Sequence, residues 1–323
     1  MSAELSVNNK GQVEFAYLLS DGQAWHGLGQ GLQDNASHDE WVAGAGMDWK
    51  IQRSKVRYAT ERSGDVTKYL ELPEKHVLFR NDDKRPLGVV SDRYQIVQPR
   101  EVLEFFKDIV KVGGLQLSAA GTIYGGKRFW ATAKIGEASP TSLKDRIGGY
   151  LLLSTSADGS QATEAFLTSI RVVCKNTLAM AFQGSKGSRY KVSHRSVFKP
   201  EDVKSFMGLN EAAWDAFRHN IVRLANKPVD VTKAEELTLE LMGGGEKVVA
   251  SAGYNKILDL FKGDGQGSQL DGVYGTAWGW IQSCTEYVDH WARARSDENR
   301  MVSSQWGPGA DMKQRALELA NKL

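Results

Sequence analysis

Cysteine is almost missing from this chain. Of 323 residues only Cys174 and Cys284 are thiols, with no CxxC pair, so neither a disulfide framework nor a cysteine-rich zinc site is encoded and a reducing compartment fits best. No uninterrupted apolar run approaches the ~18–20 residues that cross a bilayer. Met1-Ser2-Ala3-Glu4 also lacks the cationic start and apolar middle of an export signal, so the expected location is the cytoplasm, with no membrane partner. No HExxH, phosphate-binding loop or GxSxG pattern occurs, and His26, His38, His76, His194, His219 and His290 are scattered. The most informative absence is of one charge: no carboxylate lies between Ala165 and Pro200.

That gap gives meaning to an otherwise unremarkable net charge of +2. Residues 1–164 carry 20 basic and 21 acidic side chains, 165–200 carry 7 and 0, and 201–323 carry 14 and 18, giving −1, +7 and −4. A near-neutral chain thus concentrates its positive charge in one segment, an asymmetry that points to an anionic partner. Hydrophobic residues at 41% together with 33 glycines are ordinary for a folded protein and too apolar for wholesale disorder.

The pattern predicts an α+β fold in which antiparallel β-hairpins pack with helices, followed by a mainly helical C-terminal part. The expected division is 1–200 for the α+β domain, with its basic hairpin and helix, and 201–323 for the helical one. Alternation from Trp49 to Tyr58 reads as a strand, and Val77–Arg80 turns through Asn81-Asp82-Asp83 towards Leu87–Val90. Pro99 opens a helix that Gly113-Gly114 closes. Leu115–Gly121 and Arg128–Ile135 form a second hairpin, and Tyr150–Thr155 with Thr163–Thr168 flank Asp158-Gly159 in a third. Ile170, Val173, Cys174, Thr177, Leu178 and Ala181 then fall on one helical stripe, which predicts a helix over about 169–183. Beyond Pro200 the texture is helical, with helices expected to end near Lys227-Pro228 and at about 232–242, 247–262, 276–295 and 310–322. The glycines of Trp25-His26-Gly27-Leu28-Gly29-Gln30-Gly31 lack nucleotide-loop spacing, and the segment reads as a docked loop.

Chemistry concentrates in the basic segment. Arg171 and Lys175 sit four apart, off the apolar stripe, where like charges repel unless something anionic offsets them. Lys186, Arg189, Tyr190, Lys191, His194, Arg195, Phe198 and Lys199 follow, a basic run interleaved with aromatics that suits phosphate contact plus base stacking. Lys127, Arg128, Phe129, Trp130 and Lys134 add to it, as do Lys50, Arg53, Lys55 and Arg57, the last three on one strand face. The bland reading is a solvated basic loop docked on acids of the same protein or of a neighbour. Asp82-Asp83, and Glu286 with His290 or Asp289 with Arg293, read as turn chemistry and helix-surface pairs, and Cys174 as a small core residue. No catalytic residue, metal ligand or cofactor is assigned: enzymatic activity is left open, with the balance against it. The helix around Trp278 and Trp280, apolar on more than one side, is expected to be buried or shared with another subunit.

Trp25-His26-Gly27-Leu28-Gly29, then Gly159-Ser160 through Arg171-Val172-Val173-Cys174-Lys175-Asn176-Thr177-Leu178, and Gly275-Thr276-Ala277-Trp278-Gly279 with Thr285-Glu286-Tyr287-Val288-Asp289-His290, together resemble the phage/plasmid-like proteins of the domain-of-unknown-function 932 family. The resemblance runs from about residue 20 to 295 and implies a phage, prophage or plasmid origin, without established catalytic residues to carry over. The order of hairpins followed by a helix is also similar, more remotely, to the core of ring-forming single-strand annealing recombinases, an architectural analogy. It implies single-stranded DNA held in a basic groove of an oligomeric ring, without ATP or metal. The expectation is therefore a single-stranded DNA-binding and strand-annealing protein, active as a homo-oligomer in the host cytoplasm. Its binding residues are Lys127, Arg128, Phe129, Trp130, Arg171, Lys175, Lys186, Arg189, Tyr190, Lys191 and Arg195. The alternatives are a counter-defence or regulatory protein that binds a host protein, and a metal-dependent nuclease.

Overall fold

The computed structural model describes residues 6–7, 11–21, 29–63, 66–113, 115–138, 146–171, 177–179, 189–196, 202, 205 and 211–323. The strands are β1 (Phe15–Leu18), β2 (Gln30–Leu32), β3 (Ile51–Ser63), β4 (Val66–Arg80), β5 (Pro86–Ser91), β6 (Gln116–Ile123), β7 (Arg128–Ala138), β8 (Ile147–Ser156), β9 (Thr163–Arg171), β10 (Thr177–Ala179) and β11 (Arg189–Val192). Helices α1 (His38–Gly44) and α2 (Pro99–Gly113) lie among them. The C-terminal part is helical: α3 (Glu211–Ala225), α4 (Val231–Leu241), α5 (Ala252–Asp259), α6 (Ala277–Glu286), α7 (Asp297–Trp306) and α8 (Pro308–Asn321), with a single turn at Glu246–Val249. The architecture is α+β.

An eight-stranded sheet runs in the order β10-β9-β8-β7-β6-β1-β2, with β11 also paired to β9; β3-β4-β5 form a separate three-stranded sheet. Hairpins β6–β7 and β8–β9 are antiparallel, as turn chemistry predicts, and among the described residues β1–β2 is the one parallel pair of the long sheet. The register sets Ala131, Leu153 and Ala165 in one row and Ala133, Leu151 and Leu167 in the next. Side chains alternate across a strand, so these rows form one apolar face, against which α2 lays Val102, Leu103 and Phe106.

The basic segment departs from its predicted helix. Ser169–Arg171 continue β9, paired with Ile147–Gly149, and Thr177–Ala179 form β10 antiparallel to it; 172–176 and 180–183 lie outside the described residues. Pairing explains the misreading: a helical stripe of β-branched residues also suits a strand, and the open edge of β9 supplies hydrogen bonds that a local pattern cannot reveal.

The helical part closes onto the same buried cluster as the sheet, through Ile221, Leu237, Ile257, Trp278, Trp280 and Leu317. Every residue of α6 is buried, which resolves its all-round apolarity as burial within the chain. Its Trp278-Gly279-Trp280 needs the glycine, because a Cβ at 279 would fall 1.9 Å from the Val273 carbonyl oxygen. Trp280 donates its indole N–H to Thr238 Oγ1 at 3.0 Å. Beyond Lys75, where β5 stops pairing, β3 and β4 continue as a two-stranded ribbon with Tyr58, Tyr69, Leu70 and Leu72 exposed. No described helix is long and apolar enough to cross a membrane.

Candidate nucleic-acid interface

The tip of the β8–β9 hairpin is where distant segments meet. Asp158 accepts a hydrogen bond from the Ser160 amide at 2.9 Å and Gly159 takes φ +76, the turn that Asp-Gly favours. Behind it, Ser156 Oγ donates to the Gln161 carbonyl at 2.9 Å and accepts from its amide at 3.0 Å. Strand β5 passes so close that a Cβ on Gly88 would lie 2.7 Å from Asp158 Cα. Tyr94, just after β5, donates its hydroxyl to the Ser156 carbonyl at 2.7 Å, and burial pushes its phenol well above the ordinary range.

Tyr94 gathers the rest. Arg53 Nη2 donates to its carbonyl at 2.9 Å. The imidazole of His194 stacks on its ring with centroids 4.4 Å apart and planes 18° from parallel, while the Gln95 amide donates to the His194 carbonyl at 2.6 Å. The two imidazole nitrogens face carbonyl oxygens of Gln95 and Gln161 at 3.2 and 2.9 Å, which fixes the ring in place over Tyr94. On the other flank, Lys127 accepts at its carbonyl from the Ala157 amide at 2.7 Å. Arg53, Arg93, Lys127 and Arg195 are exposed and have no ion pair among the described residues. Cations from four stretches of sequence are thus tied to one hairpin tip.

The expected binding residues divide. Lys127 and Arg195 are exposed, whereas Arg128 is buried. Phe129 and Trp130 do not offer their faces to bases: they are 0% and 7% exposed. Phe129 meets Trp49 edge-on in the main core, with centroids 6.4 Å apart, and Trp130 points to the opposite face against Phe15 at 5.7 Å. Alternation along β7 sends both rings into packed layers, because each face of the sheet is covered there. Tyr190 is half-buried, packs on the core and donates its hydroxyl to Asp202 at 3.0 Å. Lys191 pairs with Glu164 across β9–β11 at 3.1 Å. Arg171 ends β9 and Arg189 begins β11, whereas Lys175 and Lys186 lie outside the described residues. Lys55 and Arg57 both pair with Glu71, and Lys134 pairs with Asp21 and Glu137.

The acids considered for catalysis have packing roles. Glu286 accepts from the Gln266 amide at 2.9 Å, Asp289 pairs with Lys313 at 2.8 Å, and Asp82 and Asp83 hold Arg80 and Arg85. Among the described residues no group of three or more His, Cys, Asp or Glu is arranged to hold a metal ion. A cavity of about 340 Å³ beside β2 is lined by Gln12, Val13, Gly29, Gln30, Ala43, Gly44 and Gly46, without a titratable side chain.

Sequence reasoning missed Tyr94 and Arg93. A loop Arg-Tyr pair, the arginine exposed and the tyrosine buried, has no periodic signal, and the His194 partner lies 100 positions away. The geometry defines an α+β protein built on one long, mostly antiparallel sheet with a cationic hairpin tip. The profile of the family described as Domain of unknown function (DUF932) matches residues 86–306, and the chain belongs to that family. No curated protein and no solved structure matches it.

Proposed function

We propose that the protein binds single-stranded DNA through its phosphates and anneals strands as a homo-oligomer of phage or plasmid origin, without catalysis, in the host cytoplasm. The observation that carries this reading is the set of exposed cations Arg53, Arg93, Lys127 and Arg195 around the β8–β9 tip, none of which has an ion pair among the described residues. Phosphate contacts give sequence-independent affinity through counterion release. With Phe129 and Trp130 buried, stacking contributes less than their sequence suggests, and the bases are left free to pair. The oligomeric part draws on the β3–β4 ribbon: an isolated two-stranded ribbon is marginal in water, and Tyr58, Tyr69, Leu70 and Leu72 are 42–60% exposed on it.

Binding of a labelled oligonucleotide, read by anisotropy across a salt series, tests the reading together with the rate at which complementary strands pair. Steeply salt-dependent binding with accelerated pairing is expected; absent or salt-insensitive binding contradicts it. The same ribbon also suits a host-protein partner, and a monomeric mass in solution combined with capture of a host protein after nuclease treatment would favour that second reading.

A further inference from the structure

The second face of the long sheet, under α7, holds buried hydrogen-bond donors that lack acceptors. Arg128 is 9% exposed, and its Nε and Nη1 have no hydrogen-bond partner among the described residues. The indole N–H groups of Trp130 and Trp306 are buried and unpaired as well. Only Nη2 of Arg128 finds a neighbour, Ser160 Oγ at 3.5 Å, the outer limit of a hydrogen bond. The guanidinium lies 5.6 Å from the Trp306 ring centroid, a cation–π contact that offsets part of its desolvation.

Tyr124, Asp158 and Glu164 are the groups whose charge bears on Arg128, and none bonds to it. Asp158 accepts the Ser160 amide, Glu164 is engaged by Lys191, and Tyr124 gives its hydroxyl hydrogen to Asn299. A guanidinium taken from water with two of its three nitrogens unpaired is a costly arrangement unless a matching anion arrives. A planar fork of unpaired donors matches tetrahedral oxyanions, whose oxygens accept two parallel bonds.

We propose that Arg128 receives a phosphate group on its unpaired nitrogens, with Ser160 and the half-buried Trp306 as its neighbours there. This deepens the nucleic-acid reading by assigning a phosphate-specific site beside the exposed cations, yet inorganic phosphate alone tests it. Thermal unfolding of the full chain is followed in phosphate and in chloride at matched ionic strength. Phosphate is expected to raise the wild-type midpoint by linkage and to shift tryptophan emission. R128M is expected to lose that response while being at least as stable as wild type in chloride, because an apolar chain then replaces an unpaired buried charge.

A wild-type midpoint indifferent to phosphate, or an R128M protein that still responds, overturns the proposal. Broadening of the phosphorus resonance of inorganic phosphate by wild-type protein provides a readout that does not depend on R128M folding; no broadening also overturns it. Oligonucleotides with a 5′-phosphate or a 5′-hydroxyl separate the sources. About tenfold tighter binding of the former, lost in R128M, assigns a terminal phosphate. Equal binding weakened by R128M assigns an internal one. A phosphate response without oligonucleotide binding keeps the site and removes only the DNA reading.

Discussion

Arg80 Nη1 lies 2.8 Å from Glu14 Oε1, with the two side chains 2% and 0% exposed. This ion pair joins the end of β4 to the residue before β1, and so fastens the three-stranded sheet to the long one. Arg80 also bonds Asp82 at 2.7 and 3.0 Å and lies 4.3 Å from the Trp49 ring centroid, while Thr122 Oγ1 donates to the other Glu14 oxygen. Removing one partner strands a buried charge, so Arg80→Ala is expected to cost about 3–5 kcal/mol. A shift in the urea midpoint measures it, and a change near zero would show the pair to be dispensable.

Asp289 and Lys313 make the corresponding buried pair in the helical part, 2.8 Å apart and 2% and 3% exposed. Asp289→Ala is expected to destabilise by about 3–5 kcal/mol, whereas replacing Asp289 and Lys313 together by Leu and Met is expected to recover most of that loss. Chemical unfolding of the two variants checks this. Oligonucleotide affinity of the folded Asp289→Ala protein is expected to equal wild type; a large loss would give Asp289 a role beyond packing.

Trp130→Phe discriminates core from stacking platform. A buried ring that meets Phe15 is expected to affect stability, with Trp130→Ala costing about 3–5 kcal/mol, and to leave the affinity of the folded protein for single-stranded DNA within twofold. Anisotropy titrations decide; a tenfold loss with Trp130→Phe would restore the stacking role.

What could be read beforehand followed local chemistry. Asp158-Gly159 announced a hairpin, Pro99 and Gly113 bounded α2, and the texture change after Pro200 marked the helices. Helix α1 was missed although Ser37 and Glu40 form a capping box, a signal that sits directly before Trp41-Val42. Helix α7 also carried its signs, an Ser296 cap followed by Asp297 and Glu298. The basic segment misled because its apolar spacing fits a helix, while the open edge of β9, on which Thr177–Ala179 pair as β10, leaves no mark in that spacing. The candidate site was half legible: Lys127 and Arg195 lie where a phosphate could reach them, but only tertiary folding buries Arg128 and pairs Lys191 with Glu164. Neither depends on nearest neighbours in sequence.

Alkaline stability follows from Tyr150. Burial first, then the nearby Asp21 charge, push its phenol up to about 12 from an ordinary 10. The folded protein holds the proton more tightly than the unfolded chain, so this contribution is complete below pH 10 and is lost as pH rises through 12. The Cys284 thiol, raised by full burial, acts in the same direction. Urea midpoints are expected to fall across that window and to fall less in Tyr150→Phe. An identical decline in the variant would remove Tyr150 from the account.

The central claim is that exposed cations from separate stretches act together on one polyanion. The direct measurement is the slope of log affinity for single-stranded DNA against log salt, in wild type and in the triple variant Arg53→Ala, Lys127→Ala, Arg195→Ala. Each phosphate contact on a single strand contributes about 0.7 to that slope. Loss of three contacts is therefore expected to flatten it by about 2, with the thermal midpoint lowered only by as much as the lost Arg53–Tyr94 hydrogen bond accounts for. A triple variant with the wild-type slope would contradict the account.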